Sequence, residues 1–133
     1  MTTQSFYKIV MKTSHTDDAK VARRATAAAF HALRDRRTVD EAGQVVAQLP
    51  YELKKVWAEG ESPGRQPLKI NREQFYERVK REAELPSKRV ARWIVLAVFA
   101  ALKEQLSPGE AGDVIAQLPK DLKEVWAEAQ AEV

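Results

Sequence analysis

The chain has 133 residues, with 22 Lys and Arg against 19 Asp and Glu, a formal net charge of +3. Hydrophobic residues make up 44% and charged residues 31%, a globular mix that excludes disordered, collagen-like and low-complexity classes. There is no cysteine, which excludes disulfides, thiolate-held zinc and a thiol nucleophile, and fits a reducing compartment. The first 18 residues lack the basic start and long apolar core of a secretory signal. The longest apolar run, Trp93 to Leu102, is half of the roughly 20 residues that a membrane-spanning helix needs. A cytoplasmic protein with no membrane partner is expected.

In chain order, the first helix is centred on Phe6, Ile9 and Val10. The second runs from about Asp18 to Arg36, with Val21, Ala25, Ala28, Ala29 and Ala32 at helical spacing. A capping box, Thr38-x-x-Glu41, opens the third, whose apolar face is Ala42, Val45, Val46 and Leu49. Pro50 ends it and is expected in the first turn of the fourth, which buries Leu53, Val56 and Trp57. The pattern then starts again. Asn71 and Gln74 are a cap for a helix around Phe75 and Val79, and a long helix follows from about Ser87 to Gln105. Ser107-x-x-Glu110 opens the next helix over Ala111, Val114, Ile115 and Leu118, and Pro119 precedes the stripe Leu122, Val125, Trp126. No segment alternates in the manner of a strand.

The recurrence is in register. At an offset of 69, residues 1–64 align with 70–133 without a gap, and 24 of the 64 pairs are identical, among them Phe6/Phe75, Tyr7/Tyr76, Phe30/Phe99 and Trp57/Trp126. The chain is therefore expected to be one all-α domain over 1–133, a helical bundle of two similar four-helix units, 1–64 and 70–133, joined by a connector at 65–69. The long helices differ between the units. Arg24, Ala25, Thr26, Ala27, Ala29 and His31 correspond to Trp93, Ile94, Val95, Leu96, Val98 and Ala100. The first copy reads as amphipathic, with Arg24 and His31 on a solvated side; the second is apolar nearly all round, the mark of a central helix. Small residues in one and large ones in the other predict that the two pack together.

The segment FHALRDR…TVDEAGQVVAQLPYELKKVWAEG, repeated as VFAALKEQLSPGEAGDVIAQLPKDLKEVWAE, resembles the bacterial "domain of unknown function 2267" family. The resemblance spans nearly the whole chain and implies an all-α bacterial protein of two similar halves. It implies no activity. Relatives often continue Glu-Gly-Trp after the first unit, whereas Glu59 and Gly60 are followed here by Glu61, so any role of that tryptophan is missing.

Catalytic patterns are nearly empty. His15 and His31 share no motif and have no ligand partner at metal-binding spacing. No serine sits in a Gly-x-Ser-x-Gly turn, the glycines form no phosphate loop, and the carboxylates fall at caps and exposed faces. No catalytic residue, cofactor or metal is expected, and the chain reads as a non-enzymatic interaction or scaffolding module. Its binding residues are Trp93, Leu96 and Ala100 along one side of the long apolar helix, facing a protein partner or a second copy. The alternative is nucleic-acid or phosphate binding. Six cations lie between Lys20 and Arg37 and six between Arg78 and Arg92, and the equivalent pairs Lys20/Arg89 and Arg23/Arg92 could form two matched anion sites. A small molecule in a bundle pocket is a further alternative.

Overall fold

The computed structural model describes residues 2–131 and is all-helical, with no strand among them. The elements are α1 (Thr3–Thr13), α2 (Ala19–Asp35), α3 (Val39–Val46), α4 (Tyr51–Ala58), α5 (Arg72–Glu82), α6 (Lys88–Gln105), α7 (Pro108–Gln117) and α8 (Lys120–Glu128). Local chemistry sets most boundaries. Thr38 with Glu41, Asn71 with Gln74, and Ser107 with Glu110 close reciprocal capping boxes, so the free amides of each first turn find acceptors. Thr2 and Ser5 make a fourth, which the pattern did not disclose. Asp18 and Ser87 cap the long helices. Pro50 and Pro119 stand one place earlier than expected. They are N-caps with extended backbone, φ −65° and −61°, rather than members of the first turn.

The halves interlock. α1 packs most extensively on α6, and α5 packs on both α6 and α2. α2 also meets α6, and α3 meets α7, so four of the packing interfaces cross between the halves. Phe6, Phe30, Leu53, Phe75, Phe99 and Leu122 belong to one continuous apolar cluster. α6 is covered on most sides: Val95, Ala97, Val98, Ala100 and Ala101 are all buried. Its apolar circumference is explained by α1, α2, α5 and α8 lying around it.

Contacts recur at the 69-residue offset. The Phe30 and Trp57 rings are 5.3 Å apart and tilted by 58°; Phe99 and Trp126 are 5.4 Å apart and tilted by 49°. The turns after α1 and α5 recur as well. His15 (φ 58°) and Glu84 (φ 56°) take the left-handed conformation that a side chain seldom adopts. The amides of Thr16 and Leu85 then reach back to the carbonyls of Met11 (3.0 Å) and Lys80 (2.9 Å), closing each helix end.

The connector is held by more than turn chemistry. Arg65 donates to the carbonyls of Arg37 (2.6 Å) and Arg34 (3.0 Å), and it pairs with Glu61. The Leu68 amide donates to the Asp35 carbonyl at 2.7 Å. Asp35 itself accepts from Arg34 (2.8 Å) and Arg78 (2.9 Å). Burial pushes its carboxyl pKa up, but these two guanidinium bonds outweigh burial and hold it below the usual value. The expectation that carboxylates serve only caps and exposed faces therefore fails at Asp35, whose side chain is mostly buried.

Candidate functional site: two matching grooves

Trp93, the anchor of the expected binding face, is 52% exposed, although its helix is central. The Arg89 guanidinium lies over its indole, 5.5 Å from the ring centroid, a helical i, i+4 stacking pair. Leu96, one turn on, is half-buried. Ala100 is 0% exposed, which corrects the expected stripe: the open side ends at Leu96 because the end of α8 covers the next turn. Trp93 and Leu96 instead line an open groove of about 430 Å³ with Thr13, Ser14 and His15 from the first half and Glu128, Ala129 and Gln130 from the end of the second. The walls are mainly apolar. Its polar groups are the hydroxyls of Thr13 and Ser14, the His15 imidazole, the Glu128 carboxylate and the Gln130 amide.

A second groove occupies the corresponding place in the first half, lined by Lys20, Arg23, Arg24, Ala27, Glu59 and Glu82. At the offset of 69, Arg24 corresponds to Trp93, Ala27 to Leu96, Glu59 to Glu128, and Glu82 to Thr13. The substitutions change its character. Arg24 pairs with Glu84 at 3.0 Å, and the corresponding residues Trp93 and His15 both line the other groove.

His31 also departs from expectation. It is not solvated but 8% exposed, and its partner Glu82 lines this polar groove. Its Nδ1 lies 2.6 Å from a Glu82 carboxylate oxygen and its Nε2 2.7 Å from the Val56 carbonyl. The helical wheel placed it beside Arg24 on an open side. α5 covers that side, and α5 is more than thirty residues further along the chain.

The four cations expected to bind anions do not form open positive clusters. Lys20 and Arg23 share their groove with Glu59 and Glu82. Arg92 is taken by Glu128, and Arg89 stacks on Trp93. Tyr7 and Tyr76 correspond at the 69-residue offset. Burial raises the Tyr7 and Tyr76 hydroxyl pKa values, and Arg23 and Arg72 respectively oppose that rise most strongly, with Arg92 next at Tyr76. Among the described residues, no group of three His, Asp or Glu side chains is placed to hold a metal. None of the described helices is long and apolar enough to cross a membrane.

Residues 3–125 match the family described as "Uncharacterized conserved protein (DUF2267)". The chain belongs to this family. That description assigns no activity. No curated protein matches the chain. The features within this DUF2267 chain that sequence reasoning missed are the His31–Glu82 pair, the Arg89–Trp93 stack and the Arg65 staple. The stack had a signal, a cation four residues before an aromatic on one helix. The other two had none, because their partners lie 28 to 51 residues away.

Proposed function

We propose that the chain is a non-enzymatic helical interaction module of the bacterial cytoplasm, built by duplication, in which the Trp93 groove receives an apolar side chain of a protein partner. The half-exposed Trp93 beside Leu96 carries this reading. A tryptophan on a central helix would be expected to turn inward, and an exposed indole with an apolar trough beside it suits an energetically dominant contact. The matching offset contacts in the two halves support the duplication, and the polar chemistry of the first groove supports a division in which only the second engages the partner. Carboxylates in both grooves count against nucleic-acid binding, since they repel phosphate where the cations would meet it.

Trp93→Glu tests the reading. Because Trp93 is half exposed, the variant is expected to keep its helical circular dichroism and its unfolding midpoint. Sedimentation analysis of both proteins shows whether the partner is a second copy, in which case association is lost in the variant. For a different partner, a random peptide display library selected on the native protein and counter-selected on Trp93→Glu should yield sequences with a shared apolar anchor. A monomeric native protein that enriches no such peptides would remove the proposal.

A further inference from the structure

Neither ring nitrogen of His31 faces a donor. Nε2 points at the Val56 carbonyl in the last turn of α4, and Nδ1 at a carboxylate oxygen of Glu82 in the last turn of α5. A carbonyl oxygen only accepts, so Nε2 carries hydrogen. An ionised carboxylate only accepts, so Nδ1 carries hydrogen too. A neutral imidazole has one N–H and can serve one of these partners. The imidazolium serves both.

We propose that His31 is a proton-operated clasp: its charged ring ties α2 to α4 within the first half and to α5 of the second, and loss of one proton slackens the joint between α2 and α5. The charged groups around it come from each of these helices. Arg34, on α2, opposes a charge on the ring, and Glu82, on α5, favours it. Lys20, Arg23 and Arg24 of α2 and Glu59 at the end of α4 share the groove with Glu82. Burial pulls the His31 pKa down, but the bonds to Glu82 and to the Val56 carbonyl outweigh burial and leave it above the ordinary 6.5.

The sign follows from linkage. A histidine whose pKa is raised by folding lends its full contribution below the unfolded value, about 6.5. That contribution drains away as pH rises through the folded value. When the proton leaves Nδ1, its lone pair is turned toward the carboxylate at a separation set for a hydrogen bond, and Glu82, on the rim, can swing toward the cations of the groove. The Val56 bond survives, because Nε2 still donates.

The device exists on one side only. At the 69-residue offset His31 corresponds to Ala100 and Glu82 to Thr13, so the matching joint between α1 and α6 has no titrating pair at this place. Rising pH is thus expected to loosen one of two similar interfaces between the halves and leave the other.

The test is made on the full chain. The His31 ring nitrogens are followed by NMR from pH 5.5 to 9, and amide exchange in α5 and α1 is measured over the same range and corrected for the intrinsic effect of pH. His31 should titrate above 6.5, with both ring nitrogens protonated at the acid end. Protection in α5 should fall through the same range, by up to about tenfold for each unit that the folded pKa lies above the unfolded one. Protection in α1 should stay level. Glu82→Gln supplies an amide that can donate to the neutral ring. It should lower the His31 pKa and remove the pH dependence in α5, while its exposed position leaves the helical content unchanged. A His31 that titrates at or below 6.5, α5 protection that is level through the titration, or a Glu82→Gln protein that keeps the native pH dependence would each overturn the clasp.

Discussion

Trp57 and Trp126 stand 69 residues apart in the chain, and each rests against a buried phenylalanine of its own half. Both are 3% exposed. Truncation to alanine would strip an indole from a continuous cluster that has no solvent route to collapse into, so each variant is expected to lose about 3–5 kcal/mol. Urea unfolding of Trp57→Ala and Trp126→Ala checks this, and comparable losses from the two would show that both halves draw on one core. His31 teaches the opposite lesson about single positions. Its neighbours along the helix mark it as surface, and only a partner 51 residues away makes it interior. A histidine is buried here with both nitrogens engaged, and an unfilled site of that kind costs more than its hydrogen bonds are worth.

The helices end in a common way. α4 stops under Arg34, which donates to the carbonyls of Trp57 (2.6 Å) and Glu59 (2.7 Å). α8 stops under Lys103, the corresponding residue, which donates to the carbonyls of Trp126 (3.0 Å) and Ala129 (2.7 Å). A cation from the neighbouring long helix therefore closes each C-terminus, where the last carbonyls lack partners and the helix dipole is negative. The two closures differ in burial. Arg34 is 4% exposed and also binds Asp35, whereas Lys103 is only partly buried and can be replaced by water. Arg34→Met is expected to cost about 2–3 kcal/mol and Lys103→Met about 1 kcal/mol, because stranded buried carbonyls carry the larger penalty. Chemical denaturation at neutral pH measures both, and an equal loss in the two would place the contribution in charge rather than in burial.

For the molecule as a whole, the decisive contact is the packing of α1 on α6 and of α5 on α2. Each half lends its first helix to the other half's long helix. A fragment of residues 70–133 would expose the side that α1 and α2 cover on α6, a helix whose Val95, Ala97, Val98 and Ala101 are all buried in the full chain. At about 25 cal/mol per Å² of apolar surface, uncovering several such side chains exceeds what a unit of this size can spare. The isolated fragment is expected to be unfolded or to associate, and its circular dichroism melt should lack a cooperative transition as a monomer. The same interlock creates the Trp93 groove, whose walls come from the end of α1 and the turn after it, the first half of α6 and the end of α8. Separate halves would each hold only part of it.

The order of residues already disclosed the eight helices, three of the four capping boxes and the repetition, because those depend on residues within four places of one another or on direct comparison of two stretches. Thr38 with Glu41 and Ser107 with Glu110 are legible as boxes and close as boxes. The apolar circumference of Val90 to Leu102 likewise announced a central helix, since no amphipathic arrangement could hide it. Which surface residues were taken was a different matter. Arg92 is paired with Glu128, Arg24 with Glu84 and His31 with Glu82, across 36, 60 and 51 residues. Periodicity along one helix says which side a residue occupies and nothing about what lies against that side. Trp93 and Ala100 sit seven apart on one stripe, yet one faces an open groove and the other lies under the end of α8. Only the packing of helices distant in the chain separates them, because burial is a property of the neighbour as much as of the residue.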